Sequence, residues 1–340
     1  MKFKSYISIS LLVFLVIGCI PSETPVKPHE KGNVTTGYVE MGNLYANQIY
    51  FSLEKDTVVS TNTITSWDLA FCSYPDSFAI LLNGGCFESV YNTKKVNFDD
   101  VTPQDTVGID PTQWRYDNPF GKLDSTAIGT WWESKTYNQI ISKSEVYILN
   151  RGVTERTSPR GFYKIQIEGF ENNQYYIKVA KLDSHTSYEF QIPKDPTRNF
   201  VAFSCDKTGS LPPVEPPSNQ WDLCFVKYTE LLYTDDGVPT WYSVTGPLIN
   251  PTYVSVAIAD STRPFEQITY DDLKNYTFSN NINAIGYDWK TFNLSRGFYV
   301  INTAKVYLIQ TQYGYYKLHF VDFYNATGEK GYPKFEYQKL

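Results

Sequence analysis

An all-β fold made of two related antiparallel β modules, with long loops and few or no helices beyond a signal peptide, is the architecture this 340-residue sequence predicts. The first ground is composition: aromatic residues make up 16% of the chain, 28 of them Tyr, and such side chains suit pleated, half-buried surfaces. The second is the alternation of large apolar with small or polar residues in short runs, the period of a strand with one buried face. The third is repetition. Trp67-Asp68-Leu69-Ala70-Phe71 returns as Trp221-Asp222-Leu223-Cys224-Phe225, and Gly161-Phe162-Tyr163-Lys164-Ile165 returns as Gly314-Tyr315-Tyr316-Lys317-Leu318. Between them, in the same order, Val96-Asn97-Phe98-Asp99-Asp100-Val101 matches Ile268-Thr269-Tyr270-Asp271-Asp272-Leu273, and Val146-Tyr147-Ile148-Leu149 matches Val306-Tyr307-Leu308-Ile309. Four blocks in one order mark an internal duplication.

The chain opens with Lys2 and Lys4 before an apolar run from Ile7 to Ile17, too short to span a bilayer as a mature helix, which ends at Gly18-Cys19. That is the pattern of a signal peptide over residues 1–18. Val16-Ile17-Gly18-Cys19 fits a bacterial lipobox, whose cysteine is acylated and becomes the new N-terminus, so Cys19 is the expected lipidation site. Residues 19–37 carry Pro21, Pro25 and Pro28 among Ser, Thr, Lys and Glu and read as a flexible tether. The expectation is an outer-membrane lipoprotein held by acyl chains such as palmitate, with the membrane face undecided.

The first module is placed at residues 38–182. Ile49-Tyr50-Phe51-Ser52-Leu53 is its opening strand, followed after a polar turn by Val58-Val59. Trp67, Leu69 and Phe71 alternate with Asp68 and Ala70, which puts the three large side chains on one strand face. Tyr74-Pro75-Asp76 then turns the chain back through Phe78 to Leu82 as a hairpin. Asn83-Gly84-Gly85 closes it, its glycines free to take positive φ or to admit another backbone. From Asp99 to Trp132 the prolines and tryptophans indicate a folded loop packed on the sheet, and Val146–Leu149, Phe162–Ile167 and Tyr175–Leu182 read as three further strands. The second module, residues 183–340, repeats this ending in Val306–Ile309, Tyr315–Phe323 and Tyr332–Tyr337. Its Asp206–Asn219 stretch, with four prolines, reads as a surface loop.

The net charge of −6 argues against a nucleic-acid partner, which would want a basic face. Four cysteines remain after Cys19 in a compartment where disulfides form. Cys72 with Cys86 and Cys205 with Cys224 is the simplest of three connectivities, one bridge in each module, and free buried thiols are the alternative.

These residues resemble the HmuY-like haem-binding lipoproteins of Bacteroidetes. The likeness rests on the aromatic strand ahead of Trp67-Asp68-Leu69-Ala70-Phe71, the Asn83-Gly84-Gly85 turn, and the final hairpin from Val306-Tyr307-Leu308-Ile309 through Gly314-Tyr315-Tyr316-Lys317-Leu318. The Asn83-Gly84-Gly85 turn has no evident counterpart after Trp221. The resemblance implies an all-β fold with finger-like loops, a lipid anchor at the outer membrane, and capture of haem for an outer-membrane receptor. It also implies a pair of axial histidines, or methionines in some relatives, where this chain departs: beyond Met1 it holds only His29, His185, His319 and Met41. His29 falls in the tether, His185 at the module junction and His319 on what reads as an exposed sheet face. His185 and His319 are therefore weak ligand candidates, and tyrosinate ligation is chemically open.

No metal-spaced histidine pair, phosphate-cradling glycine loop or nucleophile elbow points to an enzyme or to a metal site. Asp99-Asp100 and Asp271-Asp272 recur at matching positions and read as capped turns, so no catalytic residue is assigned. The reading is a binding protein for haem or a related porphyrin. The alternatives are a surface lipoprotein whose Trp114, Trp131, Trp132, Trp241 and Trp289 stack on glycans, or a structural envelope lipoprotein without a small ligand.

Overall fold

Cross-strand pairing interlocks the two copies. A computed structural model describes residues 32–135, 139–206 and 209–340; the leader, Cys19 and His29 lie outside the described residues. Lys31–Leu340 is one compact unit. Its strands are β1 (Val34–Tyr38), β2 (Asn47–Ser52), β3 (Thr57–Thr63), β4 (Leu69–Cys72), β5 (Ile80–Leu82), β6 (Ser89–Asn92), β7 (Trp132–Lys135), β8 (Gln139–Ser142), β9 (Val146–Asn150), β10 (Phe162–Glu171) and β11 (Gln174–Lys181). They continue as β12 (Tyr188–Pro193), β13 (Phe200–Phe203), β14 (Leu223–Tyr233), β15 (Pro239–Ile249), β16 (Ser255–Ile258), β17 (Lys290–Asn293), β18 (Phe298–Ile301), β19 (Val306–Thr311), β20 (Gly314–Tyr324) and β21 (Lys330–Lys339). Between them the described residues hold 3-10 turns and no α-helix. The fold is all-β and every pairing between named strands is antiparallel.

Two larger sheets use the repeated endings. One runs β12-β11-β10-β8-β7 with β9 paired to β10 and β6 paired to β9, and the other runs β1-β21-β20-β19-β16. Two smaller sheets, β13-β4-β5 and β15-β14-β2-β3, carry the Trp-Asp blocks. The arrangement is reciprocal: β1 and β2 pair with strands after residue 218, whereas β12 and β13 pair with strands before it. Each copy's opening strands thus complete sheets built from the other. Val34–Tyr38 belongs to this exchange, so the last residues read from sequence as tether form a strand against β21. Gly37 is required there, because a Cβ would sit 2.3 Å from the ring of Phe335.

Equivalent side chains hold the exchange. Asp68 accepts the Cys205 N–H (2.6 Å), and Asp222 accepts the Leu53 N–H (2.7 Å), so each carboxylate fixes the residue just past a strand contributed by the other copy. The Asn83 amide donates to the carbonyls of Ile64 and Trp67 (2.6 and 2.8 Å), and the Asn250 amide donates to those of Ser218 and Trp221 (2.7 and 2.9 Å). Asn250 is therefore the counterpart of Asn83 that the sequence hid, displaced by the longer β14–β15 hairpin. Gly84 and Gly85 serve close approach: their Cβ atoms would lie 3.1 Å from the Thr229 nitrogen and the Lys227 oxygen of β14.

Two further sequence expectations are corrected. The chain bends at Asp68, so strand parity is broken: Leu69 and Phe71 enter the first core cluster, while Trp67 packs on the central one with Trp221. The equivalence of the acidic blocks is also shifted. Lys164 Nζ donates to the Phe98 and Val101 carbonyls, and Lys317 Nζ to those of Phe265 and Ile268. Each ammonium also lies over the Phe ring, at 4.7 and 4.6 Å. Phe98 thus matches Phe265, and the capping boxes are Thr102 with Asp105 and Thr269 with Asp272. Asp271-Asp272 does lie in a capped turn, and Asp99-Asp100 follows the Asn97 cap.

Asn250→Ala leaves the Ser218 and Trp221 carbonyls without their donor, whereas after Asn83→Ala the Ile64 carbonyl keeps the Cys86 thiol and the Trp67 carbonyl keeps Arg160. Asn250→Ala is expected to lose about 1–3 kcal/mol of stability in urea unfolding, and Asn83→Ala less.

Candidate functional site

Residues of the two smaller sheets line a cavity of about 540 Å³ that is partly open to solvent. Equivalent positions from both copies line it: Trp67 and Trp221, Leu82 and Ile249, Ala70 and Cys224. The space arises from a difference between the copies. In one, Ala70 pairs across strands with Ala202; at the same place in the other, Cys224 pairs with Tyr50. Two alanines leave open the volume that a thiol and a phenol fill opposite, and the walls are mainly apolar and aromatic, as small-molecule sites are.

Several polar groups of the wall are bound to one another. Trp67 Nε1 donates to Gln48 Oε1 (3.2 Å), and Gln48 Nε2 donates to the Tyr50 hydroxyl (2.8 Å) and to Cys224 Sγ (3.6 Å). Tyr74 Oη donates to Asn199 Oδ1 (2.9 Å) and is in hydrogen-bond contact with Thr252 Oγ1. Glu215 receives the backbone N–H groups of Asn199 and Phe200, the Asn199 amide and Trp221 Nε1. Burial nonetheless pushes its carboxyl up to about 7, because desolvation of the charged form outweighs those donors. Burial likewise raises Asp117 to about 6, against donation from the Leu82 and Ala127 backbone. The Asp206–Asn219 stretch is therefore more than a surface loop, since its Val214 and Glu215 are buried and close one side of the cavity.

The residues singled out from sequence fall mostly elsewhere. His185 is exposed in the turn between β11 and β12. His319, expected on an open sheet face, is covered: its ring stacks on Phe265 at 4.3 Å, Nδ1 meets the Thr303 carbonyl (2.9 Å) and Nε2 meets Glu336 (3.1 Å). Both nitrogens are engaged, and neither histidine touches the cavity. Met41 is fully buried in the second core. Cys72, Cys86, Cys205 and Cys224 are free buried thiols, which corrects the one-bridge-per-module pairing. The reason is packing: Cys205 belongs to the first core cluster and Cys224 to the central one, with Cys86 near Ile64 and its thiol on that carbonyl. Of the five tryptophans considered for sugar stacking, Trp131 and Trp289 are core residues. The Gln48, Glu215 and Tyr228 contributions were invisible in the sequence, since nothing in their spacing links strands exchanged over 170 residues (48 to 224).

The HmuY protein family model matches residues 44–337, and the chain belongs to that family. Searching curated proteins finds no match. Among solved structures the chain is similar to a candidate lipoprotein from Bacteroides fragilis, at 12% identity over 90% of each chain with a TM-score of 0.23. It is similar to a candidate HmuY-like heme-binding protein from Bacteroides vulgatus, at 9% identity over 89% of this chain and 90% of that one, TM-score 0.22. A third is the apo HmuY analog of Tannerella forsythia, at 10% identity over 91% and 96%, TM-score 0.24. At these TM-scores the likenesses carry no argument.

Glu215 holds its proton in the folded chain up to about pH 7, whereas a free carboxyl releases it near 4.5. The folded state therefore binds more protons between those values, and stability falls as pH rises through that window. Asp117 and Asp222, both raised to about 6 by burial, act in the same direction at its lower end. Chemical unfolding at a series of pH values should show this decline, and Glu215→Gln should flatten its upper part while losing about 1–3 kcal/mol at low pH through a lost acceptor.

Proposed function

We propose that this member of the HmuY family is an envelope lipoprotein, acylated at Cys19, that holds haem or a related porphyrin in its central cavity for uptake. The observation that carries the reading is the conjunction of family membership over residues 44–337 with an apolar, aromatic-walled cavity of about 540 Å³. That volume lies within the roughly 300–1,000 Å³ of pockets that enclose small molecules. Mainly apolar walls suit the ring of a porphyrin, and burial shifts the ionisable groups among them, Asp117, Glu215 and Lys227, each toward its neutral form. An outer-membrane receptor would take the cargo onward, and the lipid anchor would keep the chain beside it. Acyl chains contribute about 0.8 kcal/mol per buried methylene, so two or more hold firmly where one alone is marginal.

Titration of the chain with ferric haem should give a saturable Soret shift at one equivalent; a flat response under both oxidising and reducing conditions would remove haem capture. The shift should be unchanged in His185→Ala and in His319→Ala, whose side chains lie away from the cavity. Cys19→Ala should move the protein from the membrane fraction to the soluble fraction, and mass spectrometry should find fatty acid on the native first residue only.

A further inference from the structure

We propose that the cavity recognises a tetrapyrrole by its ring rather than through its metal, so that a metal-free porphyrin fills it as well as haem does. This rests on the haem reading above and names what the site selects. Iron in a haem is held by histidine, methionine, cysteine thiolate or tyrosinate, and each such donor in residues 32–340 that bears on the cavity can be placed. His319 has both ring nitrogens engaged on the far side of β20, and His185 sits on an exposed turn. Met41 is sealed in the second core. Cys224 lines the cavity, but its thiol takes a hydrogen bond from Gln48, and burial pushes it up to about 12, far from the thiolate that metals require. Of the three tyrosines in the wall, Tyr50 is bound to Gln48 and Tyr74 to Asn199 and Thr252. Tyr228 alone has a hydroxyl without a hydrogen-bond partner among the described residues, and that hydroxyl lies by Gly286, beside Glu230, Tyr287 and Asp288, none of which lines the cavity; burial also raises its pKa well above the ordinary value.

The same wall is well made for a flat ring. Trp67 and Trp221 stand at equivalent positions, their indole N–H groups directed to Gln48 and Glu215, so their remaining surface is apolar. The Ala70–Ala202 pair supplies room beside them. Binding then comes from apolar area removed from water and from aromatic contact, neither of which needs a metal.

The test titrates the full chain in detergent solution with haemin and with metal-free protoporphyrin IX, following quenching of tryptophan emission against a detergent blank. Both ligands should saturate at one equivalent with dissociation constants within about threefold of each other. Ala202→Phe and, separately, Leu248→Trp should each weaken both ligands by about tenfold or more. Near-UV circular dichroism identifies which of the two filled variants retains the fold. Haemin binding about tenfold or more tighter than the metal-free ring overturns the inference and leaves the haem reading standing; loss of that excess in Tyr228→Phe would then identify the metal's ligand. Equal binding that survives in a folded, filled variant overturns the assignment to this cavity. Failure of both ligands to bind removes the haem reading itself and this inference with it.

Discussion

The structure depends on two buried carboxylates that each hold the backbone N–H following a strand from the other copy. Asp68 fixes Cys205 after β13, and Asp222 fixes Leu53 after β2. Without these contacts the exchanged strands would have their ladders but nothing to set where the chain leaves them. With them, β4 and β14 are positioned against partners from across the repeat, and residues of the two small sheets line the cavity. The cavity is a consequence of the exchange, since its walls are the exchanged strands and the turns that follow the Trp-Asp blocks.

The copies solve the same problem with different chemistry. Around Asp68 the charge is compensated: Arg151 and Arg160 reach it at 2.8 and 2.7 Å, Arg160 also meets Glu88, and Arg151 meets Asp206. All but Asp206 are buried, so removing one member would leave another charge unpaired, a cost of several kcal/mol in general. Among the described residues no arginine pairs with Asp222, which takes hydrogen bonds from the backbone of Leu53 and Glu54 and from the Ser52 side chain, and burial raises it to about 6. The strands around Asp68 keep an ionic centre, while the β14–β2 pairing around Asp222, with Cys224 and Tyr50, shapes the filled side of the cavity.

Much of the fold was legible because it is local. The strands at Ile49–Leu53, Val146–Leu149, Phe162–Ile167 and Val306–Ile309 follow from short apolar and aromatic runs, and the β4–β5 hairpin from its turn. The matching roles of Asp68 and Asp222, and of Lys164 and Lys317, were legible in similar short blocks. What escaped was non-local. The bend at Asp68 that separates Trp67 from Leu69 is held by arginines more than eighty residues away (68 to 151). The equivalence of Asn83 with Asn250 was masked by the long β14–β15 hairpin, and that of Phe98 with Phe265 by a nearer acidic match. His319 read as exposed because the segment that covers it, around Phe265, belongs to a loop whose placement no strand period predicts. The cavity escaped for the same reason, being a property of pairings between strands far apart in the chain.

Backbone hydrogen exchange with and without protoporphyrin IX tests most directly whether the exchanged strands form the binding site. Binding there predicts added protection in both copies together, at residues 80–85 and 199–203 and at 214–224 and 248–252. Protection confined to the hairpin tips near residues 233–239 and 293–298, with the cavity strands unchanged, would contradict it.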